Sequence, residues 1–148
     1  RDSSTSRGLG DVYKRQDVHR KQLGKRAYAI SPARTALGLD LPYTFHQDTP
    51  VLPPDMLRTV QCAVTRSTET GAVLGREECI SPLEALRGVT VNAAYQYFEE
   101  KEKGSIQVGK RADLVVLSAN PLKVPANEIG KIEVLVTIKE GSGQYRKA

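Results

Sequence analysis

The sequence predicts an α/β chain made of two units, a mainly helical one followed by a run of strands, with the change near Gly104. Three observations predict it. Met56, Leu57, Val60, Ala63 and Val64 recur at the spacing of one helix face. Ser81-Pro82-Leu83-Glu84 carries a helix-start signature, with serine as cap, proline at the first helical position and glutamate three residues on. Beyond Gly104 the period changes: Ala112–Leu117 is almost continuously apolar, and Ile132, Val134, Val136 and Ile138 alternate with Glu133, Thr137 and Lys139.

In chain order, Arg1–Gln16 shows neither helical nor strand periodicity and has no initiating methionine. Its Gly8–Gln16 portion, GLGDVYKRQ, resembles translated adapter read-through, so residues 1–16 are set apart as a non-native-looking tail. Gly24–Ala29 is expected to form a short helical turn. Ser31-Pro32 should open a second short helix, with Ser31 as the cap, that ends by Leu41-Pro42. Tyr43-Thr44-Phe45-His46 is aromatic and β-branched, as a strand is, and Pro50, Pro53 and Pro54 force an irregular loop after it. A helix is expected within Asp55–Thr68, and a polar loop or small hairpin over Thr68–Glu78.

A helix over Pro82–Glu100 should bury Leu83, Leu86, Ala93, Ala94 and Tyr97 and stop at Gly104. The Ala112–Leu117 strand should be covered on both faces, as near-continuous apolar strands are. The Ile132–Ile138 strand should be half-buried, and Gly141-Ser142-Gly143 should turn into a last strand near Tyr145.

The 148 residues suffice for one ordinary domain of ~100–200 residues, but not for a complete (β/α)₈ barrel of ~250. The net charge of +5 raises the question of nucleic acid. Part of it sits in the tail, where Arg1, Arg7, Lys14 and Arg15 oppose Asp2 and Asp11, and the rest is scattered without a basic run, so no nucleic-acid role is expected. Cys62 and Cys79 have no metal or redox spacing and read as free thiols in a reducing compartment. No apolar run approaches the ~18 residues of a membrane span, so no membrane role is expected.

With only His19 and His46, the chain cannot build a three-histidine zinc site. Its suggestive cluster is His46-Gln47-Asp48-Thr49-Pro50, a histidine and a carboxylate at a strand end ahead of a constrained loop. Strand alternation points positions 46 and 48 the same way. A carboxylate there can bind a divalent ion or accept a proton from water; Asp48 before Thr-Pro is equally a turn or cap residue. The glycines and Lys110 of Gly104–Asp113 suggest a phosphate loop, but P-loop spacing and a following helix are lacking, and a tight turn accounts for the glycines better.

Taken together, five segments change the weight of these signals. They are Leu23–Ala27 with Ile30–Arg34, then His46–Val51, then Ser81–Leu86, then Thr90–Ala94, and finally GSIQVGKRADLVVL over Gly104–Leu117. In this order they resemble the C-terminal part of the amidohydrolase superfamily, particularly its formamide-deformylase-like branch. The resemblance implies that residues 17–103 are the last part of a (β/α)₈ TIM barrel and that 104–148 supply strands of a composite β-sandwich. It implies a metal-dependent hydrolase of non-peptide C–N bonds, with one or two divalent ions, commonly Zn²⁺. Asp48 would be the aspartate ending the eighth barrel strand, both metal ligand and general base. His46 would orient Asp48 or the substrate, or be a hydrogen-bonded histidine of the barrel wall. His19 would be structural or at the rim.

On this resemblance the first-strand histidine pair and the ligands of the fourth to sixth strands are missing here, so the parent is an enzyme and this fragment is inert. Its partners would be a small amide-type substrate and, for the parent, further copies of itself; the expected compartment is the cytoplasm. A metal-free relative with a binding or regulatory role is the alternative. A free-standing β module from Gly104 onward is less favoured, because so short a stretch makes a poor core.

Overall fold

A computed structural model describes residues 21–47, 49–50, 53–68 and 70–147. Arg1–Gln16 and His19 lie outside these residues.

A 3₁₀ turn, Gly24–Ala29, leads to helix α1, Ala33–Gly38. Ser31 does not cap α1 with its side chain: Ser31 sits at φ +50°, and Pro32 occupies the cap position. The capping acceptor comes instead from Glu78, 43 residues away, whose Oε2 accepts the Thr35 N–H at 2.9 Å while Oε1 accepts the Thr35 hydroxyl. Burial alone pushes the Glu78 carboxyl up, but the Thr35 hydroxyl, the Thr35 and Arg34 backbone and the Arg66 cation outweigh it and hold it below the ordinary carboxylate value.

Helix α2, Met56–Thr65, lies within the expected range. Asp55 caps it by accepting the Arg58 N–H at 3.0 Å, and Val60, Cys62 and Ala63 are buried. Arg66 ends it at φ +50°, and its fully buried guanidinium donates to three backbone carbonyls: Leu74 (2.6 Å), Ser31 (3.0 Å) and Ile30 (2.8 Å). One side chain thus ties residues 30–31 and the Thr68–Glu78 loop to the end of α2. That loop has a Ser67–Val73 bridge and ends in a 3₁₀ turn, Arg76–Glu78, a small hairpin as expected.

Helix α3, Pro82–Val89, has the full capping box, with the Glu84 N–H donating to Ser81 Oγ at 3.3 Å and the Ser81 N–H to Glu84 Oε2 at 2.7 Å. The single helix expected over Pro82–Glu100 is instead two. Thr90, at φ −126° and ψ −91°, breaks it, and α4 runs Val91–Gln96. The β-branched run Val89-Thr90-Val91 is a weak helix former, and the Thr90 hydroxyl turns back to the Leu86 carbonyl at 2.7 Å. Ala94 is buried after the break while Tyr97 is 71% exposed, and before it Ala85 is buried while Leu83 is 49% exposed; the exposure of Leu83 and Tyr97 is contrary to the periodic reading.

After Gly104 come β1, Leu114–Leu117, β2, Val134–Lys139, and β3, Ser142–Arg146, in one antiparallel sheet of order β1-β2-β3. Leu114 pairs with Ile138 and Val136 with Arg146, with register irregularities at Val116/Leu117 and Thr137/Ile138. β1 is not covered on both faces by the described residues, since Val115 and Val116 are 57% and 46% exposed. A 3₁₀ turn between β1 and β2, Ala126–Lys131, inserts Ile129 into the core formed by Ala33, Val60, Cys62, Ala63, Ile80 and Ala85. Gly130 allows that approach: its N–H donates to Gln61 Oε1 at 2.7 Å, and a Cβ there would stand 2.9 Å from the same oxygen.

Candidate active site

The expected strand Tyr43–His46 has no ladder; the sheet contains only β1, β2 and β3 among the described residues. A strand needs a neighbour to pair with, and here side chains hold the segment to helices instead. The Tyr43 hydroxyl donates to the Glu84 carbonyl of α3 at 3.1 Å, and Asn92 Nδ2 of α4 donates to the Tyr43 carbonyl at 2.9 Å. Thr44 Oγ1 donates to Gln96 Oε1 at 2.7 Å. Burial, then the Glu84 carboxylate, push the Tyr43 phenol up to about 12, so it stays a donor throughout the neutral range.

Beneath them, the Tyr43 and Phe45 rings pack 5.3 Å apart at 46°. They close over Gly88, where a Cβ would lie 2.6 Å from Phe45 Cε2 and 3.2 Å from Tyr43 Cε2. Gly88 is therefore required by close approach.

Gln47 makes the tightest attachment. It is buried, and its Oε1 accepts the Asp55 N–H at 2.5 Å, while its Nε2 donates to the Asp55 carbonyl and, at 2.7 Å, to Thr59 Oγ1. The backbone either side of the proline-rich loop is thereby fastened to the first turn of α2. His46, half-buried, sits directly before this attachment. Asp48 lies outside the described residues.

Among the described residues no three His, Cys, Asp or Glu side chains gather as a metal group. These residues therefore do not fit a metal centre by themselves. Cys62 is buried, its thiol pushed up to about 11 by burial against the pull of Arg66 and Arg58, and Cys79 is half-buried; the two do not form a disulfide. Neither is poised as a thiolate.

Lys110, the candidate phosphate ligand, is engaged by its own loop: Nζ donates to the Glu100 and Lys103 carbonyls and to Ser105 Oγ at 2.8 Å. Gly104, at φ +87°, lets that loop lie against α4, where a Cβ would stand 2.6 Å from Ala94 Cβ. The stretch is a staple between the helices and β1. No helix among the described residues is long and apolar enough to cross a membrane.

Sequence reasoning singled out His46 and passed over Gln47, Asn92 and Arg66. A glutamine between two candidate site residues was the available signal for Gln47. For Asn92 and Arg66 the partners are distant in sequence, and nothing local marks them.

Comparison with known proteins gives a consistent result. The profile of the Amidohydrolase family matches residues 15–143. An N-substituted formamide deformylase of Arthrobacter pascens is 33% identical over 144 residues, 95% of this chain and 25% of the deformylase. An imidazolonepropionase of Treponema denticola is 58% identical over 38 residues, 26% of this chain and 9% of that enzyme. Among solved structures, an amidohydrolase from Thermotoga maritima MSB8 superimposes with a TM-score of 0.57 at 24% identity, over 78% of this chain and 26% of that one. The chain thus spans about a quarter of the length of the deformylase.

Proposed function

Because the chain belongs to the amidohydrolase family, we propose that it is the C-terminal part of a hydrolase that cleaves a non-peptide C–N bond of a small amide-type substrate. Residues 17–103 would complete a (β/α)₈ barrel, and 104–148 would join a β-sandwich formed with an earlier part of the chain. The observation that carries this reading is the similarity to the formamide deformylase along nearly the whole chain. The same similarity supports N-substituted formamides and related amides as the substrate class.

In this reading Asp48 is the general base. It accepts a proton from water as the water oxygen bonds to the formyl carbon, and it returns that proton to the nitrogen as the C–N bond breaks, leaving an amine and formic acid, which gives up its remaining proton to solvent as formate. His46, one residue before the Gln47 attachment, orients Asp48 or the substrate. Members of the family generally depend on a metal, and a divalent ion, zinc by resemblance, would lower the pKa of the attacking water. Asp48 would supply one ligand, and the others would come from earlier barrel strands.

The test uses the complete enzyme, with formate release from an N-substituted formamide measured beside metal content. Asp48→Asn keeps the size but removes charge and proton acceptor, so turnover should fall by about 10²–10⁴. His46→Ala should cost about 10–100-fold. Near-normal turnover with Asn at position 48 would mean that the base lies elsewhere.

A further inference from the structure

We infer that Gln47 is a positioning residue of the proposed site, the clasp that sets the geometry of the backbone carrying His46 and leading into Asp48. The inference rests on the reading just given, and its observations are separate from it. Gln47 is buried, and three of its hydrogen bonds go to the first turn of α2. Two of them take both backbone groups of a single residue, Asp55, eight positions on. Such a pair imitates one rung of a strand ladder, and it stands where the chain has no neighbouring strand among the described residues to supply a real one. The third partner, Thr59, is itself buried and donates back to the Asp55 carbonyl at 3.2 Å, so the clasp has no slack rotamer to relax into.

The attachments of Tyr43 and Thr44 lie at the other end of the segment. Tyr43 and Thr44 are held by α3 and α4, which fix its beginning. Gln47 ties its end to α2, and the residue that follows is the one asked to exchange protons with water. A hydrogen-bonded side chain next to a reacting group matters because misplacement by about 1 Å costs up to about 10²-fold in rate.

The test is made in the complete enzyme with Gln47→Leu, which keeps an apolar stem of similar length and loses all three bonds. Thr59→Val, which loses one, is the milder companion. With an N-substituted formamide as the probe, kcat per folded enzyme should fall about 10–100-fold for Gln47→Leu and less for Thr59→Val, with KM nearly unchanged. Amide exchange at Asp55 should quicken in both, because its N–H loses or loosens its acceptor. A purely structural role would instead lower the yield of folded enzyme and leave kcat per folded molecule intact, and that result overturns the inference. If Gln47→Leu does not fold, Thr59→Val decides: unchanged kcat with unchanged Asp55 exchange overturns it. Asp48→Asn is run in parallel. An active Asp48→Asn enzyme sinks the proposed site and this inference together, whereas an inactive one beside a fully active Gln47→Leu enzyme sinks only the role of Gln47.

Discussion

Replacing Arg66 with methionine should loosen residues 30–31 and the loop over 68–78 from the end of α2. The methionine fills most of the volume but donates nothing, so the carbonyls of Leu74, Ser31 and Ile30 lose the guanidinium donor together, and that of Ser31 keeps the Ala33 N–H. A buried acceptor left unpaired costs about 1–3 kcal/mol. Leu74 accepts in a fully buried setting, while the Ser31 and Ile30 bonds are partly buried and water can replace them in part. Counting the first near the middle of that range and the others near its lower end gives about 3–5 kcal/mol.

Desolvation, which holds the guanidinium below its ordinary pKa, offsets some of the loss, because a methionine does not carry that cost. A net of about 3 kcal/mol remains, which is about 150-fold in the local opening equilibrium. Amide hydrogen exchange in the complete protein reads it directly, at the N–H groups of Leu74, which donates to the Arg66 carbonyl, and of Ala33, which donates to Ser31. Both should exchange on the order of 10²-fold faster in Arg66→Met, and Arg66→Lys should fall between, because a point ammonium cannot reach three carbonyls in a plane. Exchange within about threefold of the parent at both amides would refute the idea that this cation holds the unit together.

Other perturbations test other joints. Glu78→Gln should destabilise α1 by about 1–2 kcal/mol near neutral pH, through weaker bonds to Thr35. Because the folded carboxyl is held below its unfolded value, the native advantage is present above the ordinary glutamate pKa and fades as pH falls through the depressed one; a constant difference down to the lowest pH would be the wrong outcome. Gly88→Ala gains helix propensity of about 1 kcal/mol but drives a Cβ to 2.6 Å from the Phe45 ring, so it should destabilise by about 1–3 kcal/mol net and displace Tyr43 and Phe45, seen as a changed tyrosine fluorescence. The 148-residue chain alone, with Phe98, Ile106, Val108 and Val115 exposed, should self-associate in light scattering; a monodisperse monomer would contradict this.

The legible parts of the molecule were those in which a signal and its effect lie within one helical turn or one hairpin. Ser81 and Glu84 share a capping box three residues apart, and Asp55 caps its own helix, so α2 and α3 begin where periodicity and caps put them. β2 and β3 follow from strand alternation and from the glycine turn at Gly141–Gly143. His46 was singled out only because its residue type carries chemistry.

The illegible parts depend on partners far along the chain. Ser31 looked like a cap, but the capping acceptor is Glu78, and pattern cannot choose between a near serine and a distant carboxylate. The expected strand at Tyr43–His46 became a segment bolted to three helices, since pairing is a property of two strands and the sequence of one does not contain its neighbour. The expected burial of Tyr97 failed because a single break at Thr90 turned the residues after it away from the helix face that the periodicity assumed.

By itself, then, the sequence determined the order of helices and strands, the caps and turns that bound most of them, and membership of a hydrolase family whose motifs it keeps in order. Short-range hydrogen bonds and side-chain periodicity are encoded where they act. Only the tertiary structure decided that Gln47 grips Asp55, that Arg66 gathers three carbonyls, and that Ile129 joins the helical core. Each is a contact between distant residues, fixed by which buried polar groups and apolar surfaces find partners when the whole chain packs.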